Sequence, residues 1–265
     1  MSTSGPARAP AEDRQRPPSA PVICVASHKG GVGKSTLAWN LAGPLGAILV
    51  DLDWDRGGVS YDWSPHPPRG TPLSDAFDAG RAALDAGREV RPPRVRHRAG
   101  FPDIVRSDPE VATLAIEEDE VADLLSAWCQ AWGRPVIVDN HPGGGSALQR
   151  GAIGVADVVL VPVRMAVRDI RALEGMLDEL AGVPILVVPY MVPRPEPLRL
   201  MRRLAEVTGA AQVPTAPLVH RYGWIERRLT RHRPLTMERS PGRAVQAAVD
   251  EFTAVAEEVT RWLSR

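Results

Sequence analysis

Short, almost wholly apolar runs recur along the chain, and between them lie longer stretches whose apolar residues fall three or four apart. Val22-Ile23-Cys24-Val25-Ala26, Ala47-Ile48-Leu49-Val50, Pro135-Val136-Ile137-Val138, Ala156 to Val163 and Val183 to Val188 lack polar alternation. That is the pattern of strands covered on both faces. The intervening stretches read as helices. Leu37 and Leu41 follow the first run, and Leu73, Ala76, Phe77 and Leu84 mark a helix within Pro72 to Arg88. Val121, Leu124, Leu125 and Trp128 share one face between about Glu118 and Ala131. Further helices are predicted over Arg168 to Leu180, Pro197 to Thr208 and Gly242 to Leu263, the last with Val245, Ala248, Val249, Phe252, Val255, Ala256, Val259 and Trp262 as its apolar face. Strands spaced by helices predict an α/β fold: a mostly parallel central sheet with helices on both faces. Phe101 to Val105 reads as a short edge strand, and Val213 to Leu218 leads to Val219-His220. Ser107-Asp108-Pro109-Glu110 reads as a helix start with Ser107 as cap. Ser60 to Gly70, rich in Pro and aromatic residues, reads as loop.

The first strand runs into Ser27-His28-Lys29-Gly30-Gly31-Val32-Gly33-Lys34-Ser35-Thr36. Strand, glycine-rich turn and helix are the context that a P-loop needs. Gly30, Gly31 and Gly33 let the backbone close round phosphates with N–H groups turned inward, and the helix start adds unpaired donors and a positive dipole end. Lys34 is placed to neutralise the β- and γ-phosphates, and the Ser35 hydroxyl to ligate Mg²⁺. Lys29 stands where the strict pattern has glycine, so two lysines flank one anion site.

Two other strands end in acids. Asp51-Leu52-Asp53-Trp54-Asp55-Arg56-Gly57-Gly58 follows the second apolar run, on the sheet edge where α/β folds bind ligands. Either Asp51 or Asp53 could face Mg²⁺ or an attacking water. Asp139 ends the third run in the manner of a Walker B acid supporting Mg²⁺ opposite Ser35. The glycine-rich Asn140-His141-Pro142-Gly143-Gly144-Gly145 behind it suits a segment that senses a γ-phosphate. His141 reads as a loop histidine with a structural hydrogen bond rather than a general base.

With 265 residues, the chain suffices for a single domain over 21–265 after an N-terminal tail, residues 1–20, rich in Pro, Ser and Ala and predicted to be disordered. Two cysteines make no disulfide framework and suit a reducing, cytoplasmic setting. No apolar run approaches the roughly 18 residues of a membrane span. The formal net charge is zero, but Met191 to Val245 holds eleven arginines against four acidic residues. Arg199, Arg202, Arg203, Arg221, Arg227, Arg228, Arg231 and Arg243 are therefore candidates for a nonspecific phosphate-backbone footprint, the alternative being ordinary solvated helix faces.

The Lys-Gly-Gly-Val-Gly-Lys-Ser core, with Asp51-Leu52-Asp53 and the Asp139 strand, resembles the ParA/MinD family of deviant-Walker P-loop ATPases, in particular its small ParA-type partition members. The resemblance implies a P-loop NTPase fold, ATP and Mg²⁺ as cofactors, and slow, partner-stimulated hydrolysis. Lys29 becomes the signature lysine that reaches ATP in the opposite subunit of a homodimer. Lys34 and Asp139 join it as catalytic residues, and Asp53 orients the hydrolytic water. Ser35, Asp53 and Asp139 would serve the metal. Nucleotide contacts would come from Lys29, Gly30, Gly31, Val32, Gly33, Lys34, Ser35 and Thr36, with Pro189, Met191, Val219 and His220 around adenine. The implied partners are nonspecific double-stranded DNA and a ParB-type adaptor, with a nucleoid-associated location and no membrane. Family alternatives are positioning of a protein cargo or MinD-like site selection at a membrane. Two departures from the family pattern stand out. Trp54-Asp55-Arg56-Gly57 occupies the place of the usual Pro-Gln-Gly, and Asn140-His141-Pro142 that of a small or cysteine residue and two prolines.

Overall fold

The computed structural model describes residues 20–55, 58–64, 72–143, 145–226 and 233–265. In chain order the elements are β1 (Val22–Val25), α1 (Lys34–Ala42), β2 (Ile48–Asp51), α2 (Val59–Trp63), α3 (Leu73–Asp85), β3 (Ile104–Val105), α4 (Glu118–Trp132), β4 (Val136–Asp139), α5 (Ala147–Val155), β5 (Val158–Val163), α6 (Val167–Glu179), β6 (Ile185–Val192), α7 (Leu198–Ala210), β7 (Val219–His220), α8 (Gly223–Glu226) and α9 (Arg243–Leu263). The strands form one parallel sheet in the order β3-β2-β4-β1-β5-β6-β7. The α/β class and parallel sheet expected from the pattern are therefore found.

Strand parity divides the interior in two. Val22, Cys24, Ile48, Val50, Val136 and Val138 face the core under α3 to α7. Ile23, Val25, Leu49 and Ile137 face the core under α1 and α9. Because side chains alternate across a strand, Asp51 and Asp139 share the parity of Leu49 and Ile137 and belong to the α1 side. They are also partners in register on the neighbouring strands β2 and β4. The sheet thus delivers two carboxylates side by side at the edge where the loop before α1 begins.

Several elements depart from the sequence expectation, most of them through a contact distant in the chain. The stretch from Ser60 was expected to be loop, yet Val59–Trp63 is a short helix. Its Ser60 N–H donates to Asp51 Oδ2 at 2.7 Å, so a strand-end carboxylate satisfies a free donor of the first turn. Ser107 caps nothing. Its N–H donates to Ser60 Oγ at 2.8 Å, and a 3₁₀ turn, Pro109–Thr113, stands where an α-helix start was expected. Asp108 instead caps α3, accepting from Ser74 N at 2.9 Å and Ser74 Oγ at 2.7 Å. Helix α5 was not foreseen, although Ser146-x-x-Gln149 is a capping pattern and Ser146 Oγ accepts from Gln149 N. The predicted tail lies outside the described residues except for Ala20.

Candidate functional site

The loop from Ser27 to Gly33 turns on two left-handed glycines, Gly31 at φ 70° and Gly33 at φ 92°. Both lie where a side chain is strained, and nothing stands within 4 Å of where a Cβ at Gly31 would be. At Gly33 the reason is also steric, because a Cβ would overlap the Tyr190 ring, whose Cδ1 would be 2.9 Å away. Helix α1 then starts on Lys34, with Leu37 N–H bonded to Gly33 O at 2.9 Å. Its N-cap, Gly33, offers no side chain to the first N–H groups, which suits an anion-binding helix start.

Lys34 is buried at the head of α1. Burial pushes its ammonium below the usual lysine range, while the charges of Asp139 and Asp53 pull it back. Asp139 is fully buried. Burial and the neighbouring Asp51 charge hold its carboxyl well above the usual range, against the Ser35 hydroxyl and Lys34. Ser35 stands close enough to lower it, but neither Asp139 oxygen finds a partner in hydrogen-bond geometry. A buried carboxylate with both oxygens unpartnered, beside a hydroxyl and a lysine, fits a divalent cation. Ser35 and Asp139 are the residues that would hold Mg²⁺, which would supply charge neutralisation on phosphate oxygens.

Asp51 is spent on structure. Its Oδ1 accepts from Asp53 N at 3.0 Å and its Oδ2 from Ser60 N. Burial pushes its carboxyl up to about 7, against the hydrogen bonds from Ser60 and Asp53. Asp53 is the acid left to face the site, nearly buried, with Oδ1 accepting from Asp55 N at 3.1 Å. It also lies 2.9 Å from His141 Nδ1, a carboxylate partner that the sequence did not show. Asp53, Asp55 and His141 bring their ligating atoms within 4.8 Å of one another.

Lys29 lies at the loop's outer side. Its Nζ donates to Asp169 Oδ1 at 3.0 Å, and Arg164 Nε donates to Asp169 Oδ2 at 2.7 Å. Neither Asp169 nor Arg164 carried a sequence signal, since Arg164 lies in the β5–α6 connection and Asp169 in the first turn of α6, both far from the loop in sequence. Val32 is buried, Gly30 lies in the turn before it and Thr36 in the first turn of α1.

The residues expected around adenine are only partly gathered. Pro189 is a buried β6 residue in register with Val163, and Tyr190, not Pro189, reaches the loop at Gly33. Met191 has φ 53°. Val219 is buried. His220 Nδ1 lies 2.7 Å from Glu251 Oε1 and 3.0 Å from Arg194. The described candidate arginines are also dispersed. Arg199, Arg202 and Arg203 lie on α7, which packs on one face of the sheet, and Arg243 opens α9 on the other. Arg203 pairs with Glu174 and Glu206, and Arg221 follows β7. Arg227, Arg228 and Arg231 lie outside the described residues.

Residues 23–235 match the model of the CobQ/CobB/MinD/ParA nucleotide binding domain. A chromosome partitioning protein ParA of Myxococcus xanthus is 28% identical over 164 residues, covering 58% of this chain and 55% of that protein. The chain thus spans about half the length of that curated relative. In fold, the ATP complex of Cyanothece McdA(D38A) superposes with TM-score 0.69 at 15% identity, over 93% of this chain and 97% of that one. Aquifex aeolicus MinD, a cell division protein, gives TM-score 0.67 at 16% identity, over 91% and 97%. The match over residues 23–235 takes in the loop, both acid-ended strands and Tyr190, and the chain belongs to the CobQ/CobB/MinD/ParA nucleotide-binding family.

Proposed function

We propose that this chain is a Mg²⁺-dependent ATPase that dimerises on ATP and uses that cycle to position a cargo, a protein assembly in the first instance. The observation that carries the reading is the meeting of Lys34, Ser35, Asp53 and the unpartnered Asp139 carboxylate at one sheet edge, with Lys29 outside it. Lys34 and the α1 start would hold the β- and γ-phosphates, Ser35 and Asp139 the metal, and Asp53 the attacking water. Lys29, half-exposed in its pair with Asp169, would leave it to serve the nucleotide of a second copy. ATP would then join two chains only while its γ-phosphate is present, and hydrolysis would release them.

Segregation of DNA with a ParB-type adaptor is the second reading, favoured by the arginine excess and the partitioning relative. It stands second because α7 and the start of α9 lie on opposite faces of the sheet, so one protomer offers no single basic stripe from the described arginines. A membrane role gains little from α9, whose apolar face (Ala248, Phe252, Val255, Ala256 and Val259) is consumed by the core. No described helix is long and apolar enough to cross a membrane.

The test is sedimentation with ATP, ADP or no nucleotide, run beside salt-dependent binding to double-stranded DNA and to anionic vesicles. Dimers with ATP alone, lost in Lys29→Ala, support the reading. Dimerisation that ignores the nucleotide defeats it. DNA binding confined to the ATP state promotes the second reading, and vesicle binding confined to it promotes the membrane role.

A further inference from the structure

The two departures from the family pattern meet in space. Trp54, in the loop after β2, stacks on His141, in the loop after β4, with ring centroids 4.0 Å apart and planes 14° from parallel. Trp54 itself packs against the buried cluster under α3 to α7. His141 Nδ1 is 2.9 Å from Asp53 Oδ1 and 3.9 Å from Asp55 Oδ2. Facing a carboxylate, Nδ1 is the protonated nitrogen and donates. The Asp55 N–H bond also falls on Asp53 Oδ1, so both restraints set the carboxylate from one side. The next residue, Pro142, borders the P-loop, its Cβ 3.8 Å from where a Cβ on Gly30 would stand.

We propose that His141 is a positioning residue for Asp53, with Trp54 as the platform that fixes its ring, so that the two loops respond as one body to what occupies the P-loop. The inference rests on the ATPase reading above and goes beyond it. Without the imidazole, Asp53 keeps, among the described residues, the bond from the Asp55 amide and can swing away from the line of attack. Without the indole, the imidazole loses the face that holds its plane. A shift of about 1 Å in a positioning group can cost on the order of 100-fold in rate, so the effect belongs in kcat, with ATP binding left to the P-loop.

The experiment is steady-state ATP turnover by the full chain, with thermal melting and ATP-dependent dimerisation measured on each variant. His141→Ala is expected to lower kcat about 10- to 100-fold with KM for ATP within about 3-fold. His141→Asn, whose amide can donate from the Nδ1 position, is expected to recover most of the loss. Trp54→Ala is expected to fall part of the way, and Trp54→Ala with His141→Ala no lower than His141→Ala alone. Should His141→Ala not fold, His141→Asn against His141→Leu carries the same comparison. Unchanged kcat in His141→Ala, no recovery in His141→Asn, or additive losses in the double variant overturn the inference while leaving the ATPase reading intact. A wild-type chain with neither turnover nor ATP-dependent dimerisation overturns both.

Discussion

Lys29 and Asp169, separated by 140 residues in sequence, form an ion pair of 3.0 Å at the side of the P-loop, and Asp169 shares its other oxygen with Arg164. Asp169 is 5% exposed, whereas Lys29 and Arg164 are 35% and 41% exposed in their side chains. The two cations therefore remain well solvated, and only the carboxylate depends on the pairing. If Lys29 leaves for a second nucleotide, Arg164 keeps Asp169 compensated, so the departure costs little.

That arrangement predicts the sign of two variants. Asp169→Asn weakens the hold on Lys29 and should favour the ATP dimer, by up to about 5-fold for each Lys29 and so about 30-fold for the two in a dimer, since partly exposed pairs are worth roughly 0.2–1 kcal/mol. Arg164→Ala leaves Asp169, among the described residues, to Lys29 and should shift the equilibrium the other way. Sedimentation in ATP at two salt concentrations checks both, and equal shifts in the same direction would refute the assignment.

Gly33 offers a second prediction. Gly33→Ala places a Cβ at φ 92° and against the Tyr190 ring. Left-handed strain and overpacking together should cost about 2–4 kcal/mol, seen in urea denaturation, and should abolish nucleotide binding. Tyr190→Ala alone costs the packing of a buried ring, so the comparison is made within that background, where the overlap is gone but the strain is not and Gly33→Ala should cost roughly half as much as in the wild type. No cost of Gly33→Ala in that background would mean that the ring alone dictates glycine here.

Cys24 is the subject of a third. Burial pushes its thiol up to about 12, against the Asn140 side-chain hydrogen bond, with the Asp139 charge adding to the rise. Cys129 is buried as well. Neither should react with a thiol reagent in native protein over hours, whereas both should react at once in denaturant. Native labelling of Cys24 would show that β1 opens locally far below the global stability.

Legibility in the sequence follows the range of the interaction. The P-loop, β1, α1 and the acid-ended strands were readable because glycine spacing and apolar runs act within a few residues. The sheet's parallel order followed from strand–helix alternation. Helix α2 was missed because its first N–H groups find the Asp51 carboxylate, and the role of Ser107 was misread because its backbone N–H binds Ser60. The Asp53–His141 pair and the Asp169–Lys29 pair join segments 88 and 140 residues apart, a relation that no local pattern carries. The missed α5 is different in kind, because the Ser146-x-x-Gln149 cap that starts it is a local pattern.

The pH dependence of stability can be signed from the buried acids. In the nucleotide-free chain Asp51 is raised to about 7 by burial, against the bonds from Ser60 and Asp53, and Asp139 is raised in the same direction by burial and the Asp51 charge. An unfolded aspartate titrates near 3.9. The folded chain therefore binds more protons than the unfolded one between about pH 4 and 7, and stability present below that window is lost as pH rises through it. Asp51 contributes at most about 4 kcal/mol to that loss, at 1.36 kcal/mol per unit. Asp103 and Asp169 act oppositely: burial would raise them, but bonds from Arg134 and His97, and from Arg164 and Lys29, win and lower them. Their stabilisation is present above the ordinary carboxylate range and fades as pH falls below it, which caps the gain on the acid side. Melting temperature without Mg²⁺ or nucleotide should therefore be highest near pH 5 and fall toward pH 8, and Asp51→Asn should flatten that fall. Adding Mg²⁺ with a non-hydrolysable ATP analogue should flatten it too, because a cation at Asp139 favours the charged form. A melting temperature that rises from pH 5 to 8, or a slope that Asp51→Asn leaves unchanged, would show that these carboxylates do not govern the stability of the empty site.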